Sequence, residues 1–361
     1  MAVVPAHLGV LQIEPTDHCN LACRMCAPHA EAWPTVHGVA KGWMDPALHR
    51  RILAGLVEED CRFDHVIYQW LGDPSAHREV ESLVADATRA LAGRVDHVRM
   101  DTNGVLFGPE RVERLLGARH PDTRLLLVYT LDAVTPDTYR RVKGRDHLDR
   151  AVRHARALLA ARARHPGRTD VQLQFVVQPG NAHEAGEFLR YWRAAAACHG
   201  RGAGHTEVMF KRLSVGGGAR GQADADRLYD ATVARFAIHR EATEDWSVSV
   251  WEDRPWQHDD RGATAPRTAC PGPWLTPVIR HDGRLMACCA DLRGTLDLGS
   301  LARHSFRELW EGEQATRLRL AHLAGQFDGA CATCGGINWY VLSDAHIAAT
   351  RRRAAELGLG A

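Results

Sequence analysis

Residues 17–28 read DHCNLACRMCAP and set Cys19, Cys23 and Cys26 in the spacing Cys-x3-Cys-x2-Cys. A closed tetrahedral metal site takes four protein ligands. Three thiols with no fourth beside them point to a metal centre that keeps one position open. Zinc usually pairs two Cys-x2-4-Cys knuckles, and the flanking His18 and His29 sit badly for that pattern. A short wrapped loop can instead aim three thiolates at three irons of a cubane iron–sulfur cluster. The fourth iron is then left for a small molecule.

Working outward, the preceding run VLQIEP (10–15) reads as a strand, so the cysteines fall in the loop at its carboxyl end. Five further strand-like runs follow: HVIYQWLG (65–72), HVRMDTNG (97–104), RLLLVYTLD (124–132), VQLQFVVQP (171–179) and EVMFKRLS (207–214). Between them lie amphipathic helical patterns, such as EVESLVADATRALAG with apolar residues at 80, 83, 84, 87 and 91. Repeated β-α units imply a parallel sheet, because parallel strands need crossovers. The expected class is α/β: a partial (β/α)6 barrel over 1–215, with functional residues at the strands' carboxyl ends. A linker region is expected at 216–262, where a Gly-rich connection, one helical stretch and a Trp-rich stretch change the texture. A small α+β cysteine-bearing unit is expected over 263–361.

The chain's 361 residues are too many for one small core, and its 45% apolar and 25% charged content is ordinary for a globular protein. A net charge of +1 gives no sign of a nucleic-acid groove or of an anionic membrane surface. No run approaches the ~20 apolar residues that cross a bilayer. The opening MAVVPAHLGVLQIEP has neither a basic n-region nor a small-residue cleavage site. The expected location is therefore the cytoplasm, where ten cysteines argue for metal or catalytic use over disulfides. Cys61 and Cys198 stand apart from the rest and are expected to be structural or surface thiols.

The second cysteine group begins with CPGPWLTPVIRHDGRLMACCAD (270–291), two short strands joined at Asp282-Gly283, a strong hairpin signal. One helix is expected over SFRELWEGEQATRLRLAHLAG (305–325), followed by the knuckle Cys331-Ala-Thr-Cys334. Cys270, Cys288, Cys331 and Cys334 thus supply four ligands. By spacing they suit either a structural zinc ribbon or a closed iron–sulfur cluster. Cys289 is left over.

The stretch IEPTDHCNLACRMCAP (13–28) resembles the radical S-adenosylmethionine (SAM) superfamily. The resemblance implies a [4Fe–4S] cluster on Cys19, Cys23 and Cys26, whose open iron chelates SAM. Reduction then cleaves SAM to a 5′-deoxyadenosyl radical that takes a hydrogen atom from substrate. WLGDPS (70–75) resembles the family's Gly-Gly-Glu-Pro segment at Gly72 and Asp73, with Leu71 for Gly and Asp for Glu. MDTNGVL (100–106) resembles its Thr-Asn-Gly segment at Thr102, Asn103 and Gly104. YTLDAVTPDTYRRVKG (129–144) implies Thr130 and Asp132 near the ribose and Lys143 near the SAM carboxylate. QFVVQPGN (174–181) offers Asn181 as a polar contact, and Met25 stands where an aromatic residue commonly meets adenine. The C-terminal cysteines resemble the twitch/SPASM-like extension, implying one auxiliary [4Fe–4S] cluster.

Within the superfamily, the resemblance is to dehydrogenases and epimerases of carbohydrates and aminocyclitols in antibiotic pathways. It implies an oxidoreductase or an isomerase that acts on a carbinol C–H. The implied partners are a small-molecule substrate, expected to be a carbohydrate, and an external reductant such as flavodoxin or ferredoxin. Cys289 is expected either as a passive neighbour of the cluster or as a hydrogen donor to the opposite face of a substrate radical. Two alternatives stay open at this point: modification of a ribosomally made peptide, and a plain iron–sulfur electron carrier. The peptide enzymes often have an extra N-terminal recognition domain, which is expected to be absent here. Glu14, Gln69, Lys211 and Arg212 are candidates for proton handling, and Trp246, Trp251 and Trp256 for the floor of a sugar pocket.

Overall fold

The computed structural model describes residues 7–26, 35–36, 39–199, 204–214, 219–251, 269–332, 334, 336 and 340–359. Strand β1 (His7–Ile13) leads into the cysteine loop. Helix α1 (Pro46–Glu58) follows, with Asp45 accepting from the Ala47 N–H and proline at the first turn. Then come β2 (Arg62–Tyr68), α2 (Val80–Ala90), β3 (Val95–Thr102) and α3 (Pro109–Ala118). They are followed by β4 (Arg124–Thr130), α4 (Pro136–Lys143), α5 (Leu148–Ala161), β5 (Thr169–Val177), α6 (Ala185–His199) and β6 (Thr206–Arg212). The six expected strands are all present and pair in parallel in chain order.

The register divides the sheet into two chemically different faces. Tyr68, Phe175 and Phe210 lie on the outer face and meet the helices. The Tyr68 hydroxyl donates to the Leu83 carbonyl of α2, and Phe188 of α6 packs on both phenylalanines. The opposite, inner face carries Gln12, Arg99, Asp101, Thr130, Gln174 and Lys211 on five of these six strands. Sheets covered on both faces read as near-continuous apolar runs. A polar inner face therefore marks an interior built to hold something polar.

Within the region expected as a linker, 216–262, the expected helical stretch forms and a strand joins the sheet. The region contributes α7 (Ala219–Arg235) and a seventh parallel strand, β7 (Trp246–Val250), paired with β6. A two-residue strand at 241–242 runs antiparallel to β7. Trp256 lies outside the described residues.

After α8 (Gly272–Leu275), the hairpin strands β8 (Val278–Ile279) and β9 (Arg284–Met286) form around Gly283, which adopts φ +80°. Asp-Gly at that turn is the feature the hairpin required. β8 also pairs in parallel with the free edge of β1, and β10 (Asp297–Ser300) pairs with β9. Among the described residues, barrel and C-terminal strands thus form one eleven-stranded sheet.

The single helix expected at 305–325 is two: α9 (Phe306–Trp310) and α10 (Glu313–Leu323). They part at Gly312, where a Cβ would lie 2.7 Å from the Glu308 carbonyl oxygen. The break is sealed by buried Arg319 of α10, which donates to the Trp310 carbonyl at 2.7 Å and stacks over that ring at 4.7 Å. Helix α11 (Asp344–Glu356) closes the described chain. No helix among the described residues is long and apolar enough to cross a membrane.

Candidate metal centres and the barrel interior

The loop carrying Cys19, Cys23 and Cys26 is held by hydrogen bonds from three sides. The Asp73 N–H donates to the His18 carbonyl at 2.9 Å, joining the loop to the end of β2. The Ala22 and Arg24 N–H groups donate to the Lys143 and Val142 carbonyls at 3.1 and 3.3 Å, capping the C-terminus of α4. From the end of β3, the Asn103 amide donates to Asn20 Oδ1 at 2.9 Å and approaches Cys19 Sγ at 3.9 Å. Burial, then the nearby Asp73 charge, pushes the Cys19 thiol up to about 12, and burial likewise raises Cys23. Such thiols resist ionising on their own. A cationic metal core supplies the charge that makes thiolates favourable there.

The strand-end residues tied by resemblance to SAM gather around this loop. Gly72 is packed so tightly that a Cβ would lie 2.3 Å from the Thr16 carbonyl oxygen and 2.6 Å from that of His18. Asp73 is engaged by its own chain. It accepts from the Ser75 N–H and hydroxyl, from the Thr102 hydroxyl at 2.9 Å and from the Asn103 N–H at 2.7 Å. Lys143 and Asp132 form a buried ion pair at 2.6 Å, which raises Lys143 against the opposing effect of burial. Asp132 holds φ +61° and accepts from the Val176 N–H at 2.6 Å. Asn181, expected as a polar contact, is fully buried. It donates to the Asp132 and Val176 carbonyls, both at 2.9 Å, and accepts from the Gln178 N–H. It braces the β4 and β5 loops. Gln178, which the sequence reading passed over, reaches the Met25 sulfur at 3.4 Å.

The interior beside the loop is dense in polar groups. Arg99 and Asp101 form a two-point pair at 2.5 and 2.6 Å. Gln12 donates to Gln69 at 3.3 Å, and Gln174 donates to Thr130 at 3.2 Å. Of the proton-handling candidates, Lys211 lies on this face, whereas Arg212 turns to the helices and pairs with Asp230 of α7 at 2.5 Å. Glu14 is fully buried, accepts from the Leu71 N–H at 3.2 Å and lies 3.8 Å from buried Arg280. The tryptophans divide in the same way. Trp251 lies under Lys211 at 4.3 Å, whereas Trp246 sits at 5.2 Å beneath Arg193 of α6.

The second cysteine set converges. Cys270, Cys288, Cys331 and Cys334 line one pocket, with Pro273, Leu296 and His322 among its walls. Cys270, Cys288 and Cys331 are buried, and His322 Nε2 stands 3.3 Å from Cys331 Sγ. Among the described residues no three His, Cys, Asp or Glu side chains stand close enough to share one metal ion. The four thiols surround a space rather than a point, and four thiols suit a closed iron–sulfur cluster. Cys289 does not line that pocket. It packs against the group Trp70, Leu71, Val278 and Met286 and also against Cys270 and Cys288, and its carbonyl accepts from the Trp70 indole at 3.0 Å. Hydrogen bonding between the vicinal thiols raises Cys288 and lowers Cys289. Cys61 is buried at the α1–β2 connection and Cys198 is exposed.

Comparison with known proteins gives two family matches. Residues 13–190 match the radical SAM superfamily, and residues 270–335 match SPASM, an iron–sulfur cluster-binding domain. GTP 3′,8-cyclase of Moorella thermoacetica is 28% identical over 188 residues, covering 52% of each chain. The chain thus spans about half the length of the curated relatives it matches. Among solved structures, anSMEcpe with bound AdoMet superposes with a TM-score of 0.57 at 13% identity, covering 96% of both chains. Streptococcus suis SuiB bound to precursor peptide SuiA gives 0.57 at 11% identity, covering 88% of this chain and 67% of that one. At these identities the likeness is one of fold.

Proposed function

Since the chain is a radical SAM enzyme with a SPASM domain, we propose that it takes a hydrogen atom from a carbinol C–H of a sugar or aminocyclitol. The outcome is dehydrogenation or epimerisation of that carbon, as in natural-product biosynthesis. The two domains imply a SAM-binding [4Fe–4S] cluster, an auxiliary iron–sulfur cluster and SAM itself. The reduced cluster and SAM supply the hydrogen-abstracting radical; the rest is the work of this chain's side chains. Cys19, Cys23 and Cys26 hold the first cluster. Gly72, with no side chain, lets the β2 loop lie against them. Asp73, Thr102, Asn103, Asp132, Lys143 and Asn181 lock the strand-end loops into a SAM pocket to which Met25 and Thr130 contribute contact. Cys270, Cys288, Cys331 and Cys334 hold the auxiliary cluster. An external one-electron reductant such as flavodoxin or ferredoxin completes the set.

The observation that carries the choice of substrate is the polar inner face. Gln12, Gln69, Arg99 with Asp101, Thr130 and Gln174 present amide, hydroxyl and charged groups side by side at the carboxyl ends of the strands. A hydroxyl-rich ligand satisfies such groups, and an apolar one leaves them unpaired. Radical chemistry on a sugar-bearing molecule is also compatible with curated relatives named for action on GTP. In the epimerising branch, Cys289 at the edge of the Trp70 cluster is the hydrogen donor.

The test is to reduce the reconstituted enzyme with SAM and a panel of hexoses, amino sugars, inositols and aminocyclitols in deuterated water. A product two mass units lighter marks dehydrogenation. One deuteron gained with inversion marks epimerisation, and Cys289→Ala then abolishes inversion. Formation of 5′-deoxyadenosine with turnover only of peptides would sink the carbohydrate reading.

A further inference from the structure

Of the 45 basic side chains in the sequence, only Lys41, Lys143 and Lys211 are lysines. Arginine keeps its proton in proteins, whereas a lysine gives it up when its surroundings disfavour the cation. Lys143 is committed to Asp132. Lys211 stands on the inner face at the carboxyl end of β6, beside Val176 of β5, with its Nζ 4.3 Å from the centre of the Trp251 ring.

The acids around Lys211 are each engaged elsewhere. Asp101 holds Arg99 on β3, Asp132 beyond β4 holds Lys143, and Glu207 on β6 itself accepts from Gln172 and Ser249. Burial and then the like charge of Arg99 bring Lys211 down to about 8, against the pull of Asp101 and Asp132 and against the Trp251 ring face, which favours the ammonium.

We propose that the Lys211 amine is the proton acceptor of the reaction, taking the hydroxyl proton of the carbinol from which the hydrogen atom has left. The inference rests on the carbinol reading above. The O–H bond breaks, its proton passes to the amine, and a C=O bond forms. The remaining electron goes to a one-electron acceptor of the iron–sulfur class. Neither Arg99 nor Arg212 can do this, because a guanidinium has no accessible neutral form.

The first test needs no substrate. Reductive methylation with 13C-formaldehyde of the reconstituted enzyme, its clusters oxidised, labels three lysines and the N-terminus. Lys211→Arg assigns the signal. Titration of Lys211 near 8 is expected; titration at the ordinary lysine value of about 10.4 overturns the proposal. The second test uses the carbohydrate panel. Carbonyl formation should rise with pH through about 8 and fall by roughly 100-fold or more in Lys211→Arg and Lys211→Gln. Wild-type rates in Lys211→Arg also overturn it. Inversion without any carbonyl product leaves the carbinol reading standing and overturns the role of Lys211, whereas a panel neither oxidised nor inverted sinks the substrate reading itself.

Discussion

Gly72 has no room for even a methyl group, because the atoms a Cβ would meet are backbone oxygens of the cysteine loop. Gly72→Ala should therefore cost about 1–3 kcal/mol and lower the iron bound after reconstitution, read by melting and by metal analysis. Asp132 and Lys143 are a stricter case, since removing one partner of a buried pair strands the other charge. Asp132→Asn should destabilise by about 3–5 kcal/mol in denaturant titration. Lys211 works in the opposite sense. Its amine titrates near 10.5 unfolded and about 8 folded. Below pH 8 the folded state carries a cation it disfavours, and that penalty fades as pH rises from 8 to 10.5, so stability rises across that window. Lys211→Met should then be more stable at pH 7 by as much as about 3 kcal/mol, with the gain vanishing above 10.5. A constant difference across that range would contradict the depressed amine.

At the scale of elements, apolar runs and crossover helices made the six parallel strands readable, because each strand buries an apolar outer face. The seventh was harder. Trp246, Val248 and Val250 alternate with serines in a strand's period, but no repeat of the earlier pattern announces them. The amides of β7 should exchange with solvent as slowly as those of β6, where the ladder holds them; exchange at loop rates would contradict the pairing. The strand-end motifs were legible as motifs and their orientation was not. Residue type alone does not say whether Asp73 or Asn181 meets a cofactor or its own backbone. Both turned out to bind backbone N–H or C=O groups of neighbouring loops. The cysteine spacing, by contrast, already grouped the thiols that the fold brings together, since Cys270, Cys288, Cys331 and Cys334 line one pocket.

Across the whole molecule, two cubane clusters require about eight irons per chain. Replacing Cys270 and Cys288 together should leave about four and lower the melting temperature, since that pocket is built around its thiols. Eight irons retained would move the second centre elsewhere. Barrel and C-terminal unit also share backbone bonds: the Gln12 N–H donates to the Pro277 carbonyl at 2.9 Å and the Glu14 N–H to that of Ile279 at 2.8 Å. Cutting the chain ahead of residue 269 would therefore bare the edge of β1 that β8 covers. Unpaired margins of this kind recruit other chains, so the severed N-terminal fragment should self-associate into insoluble material during expression. Co-production of the missing segment as a separate polypeptide would restore dispersion.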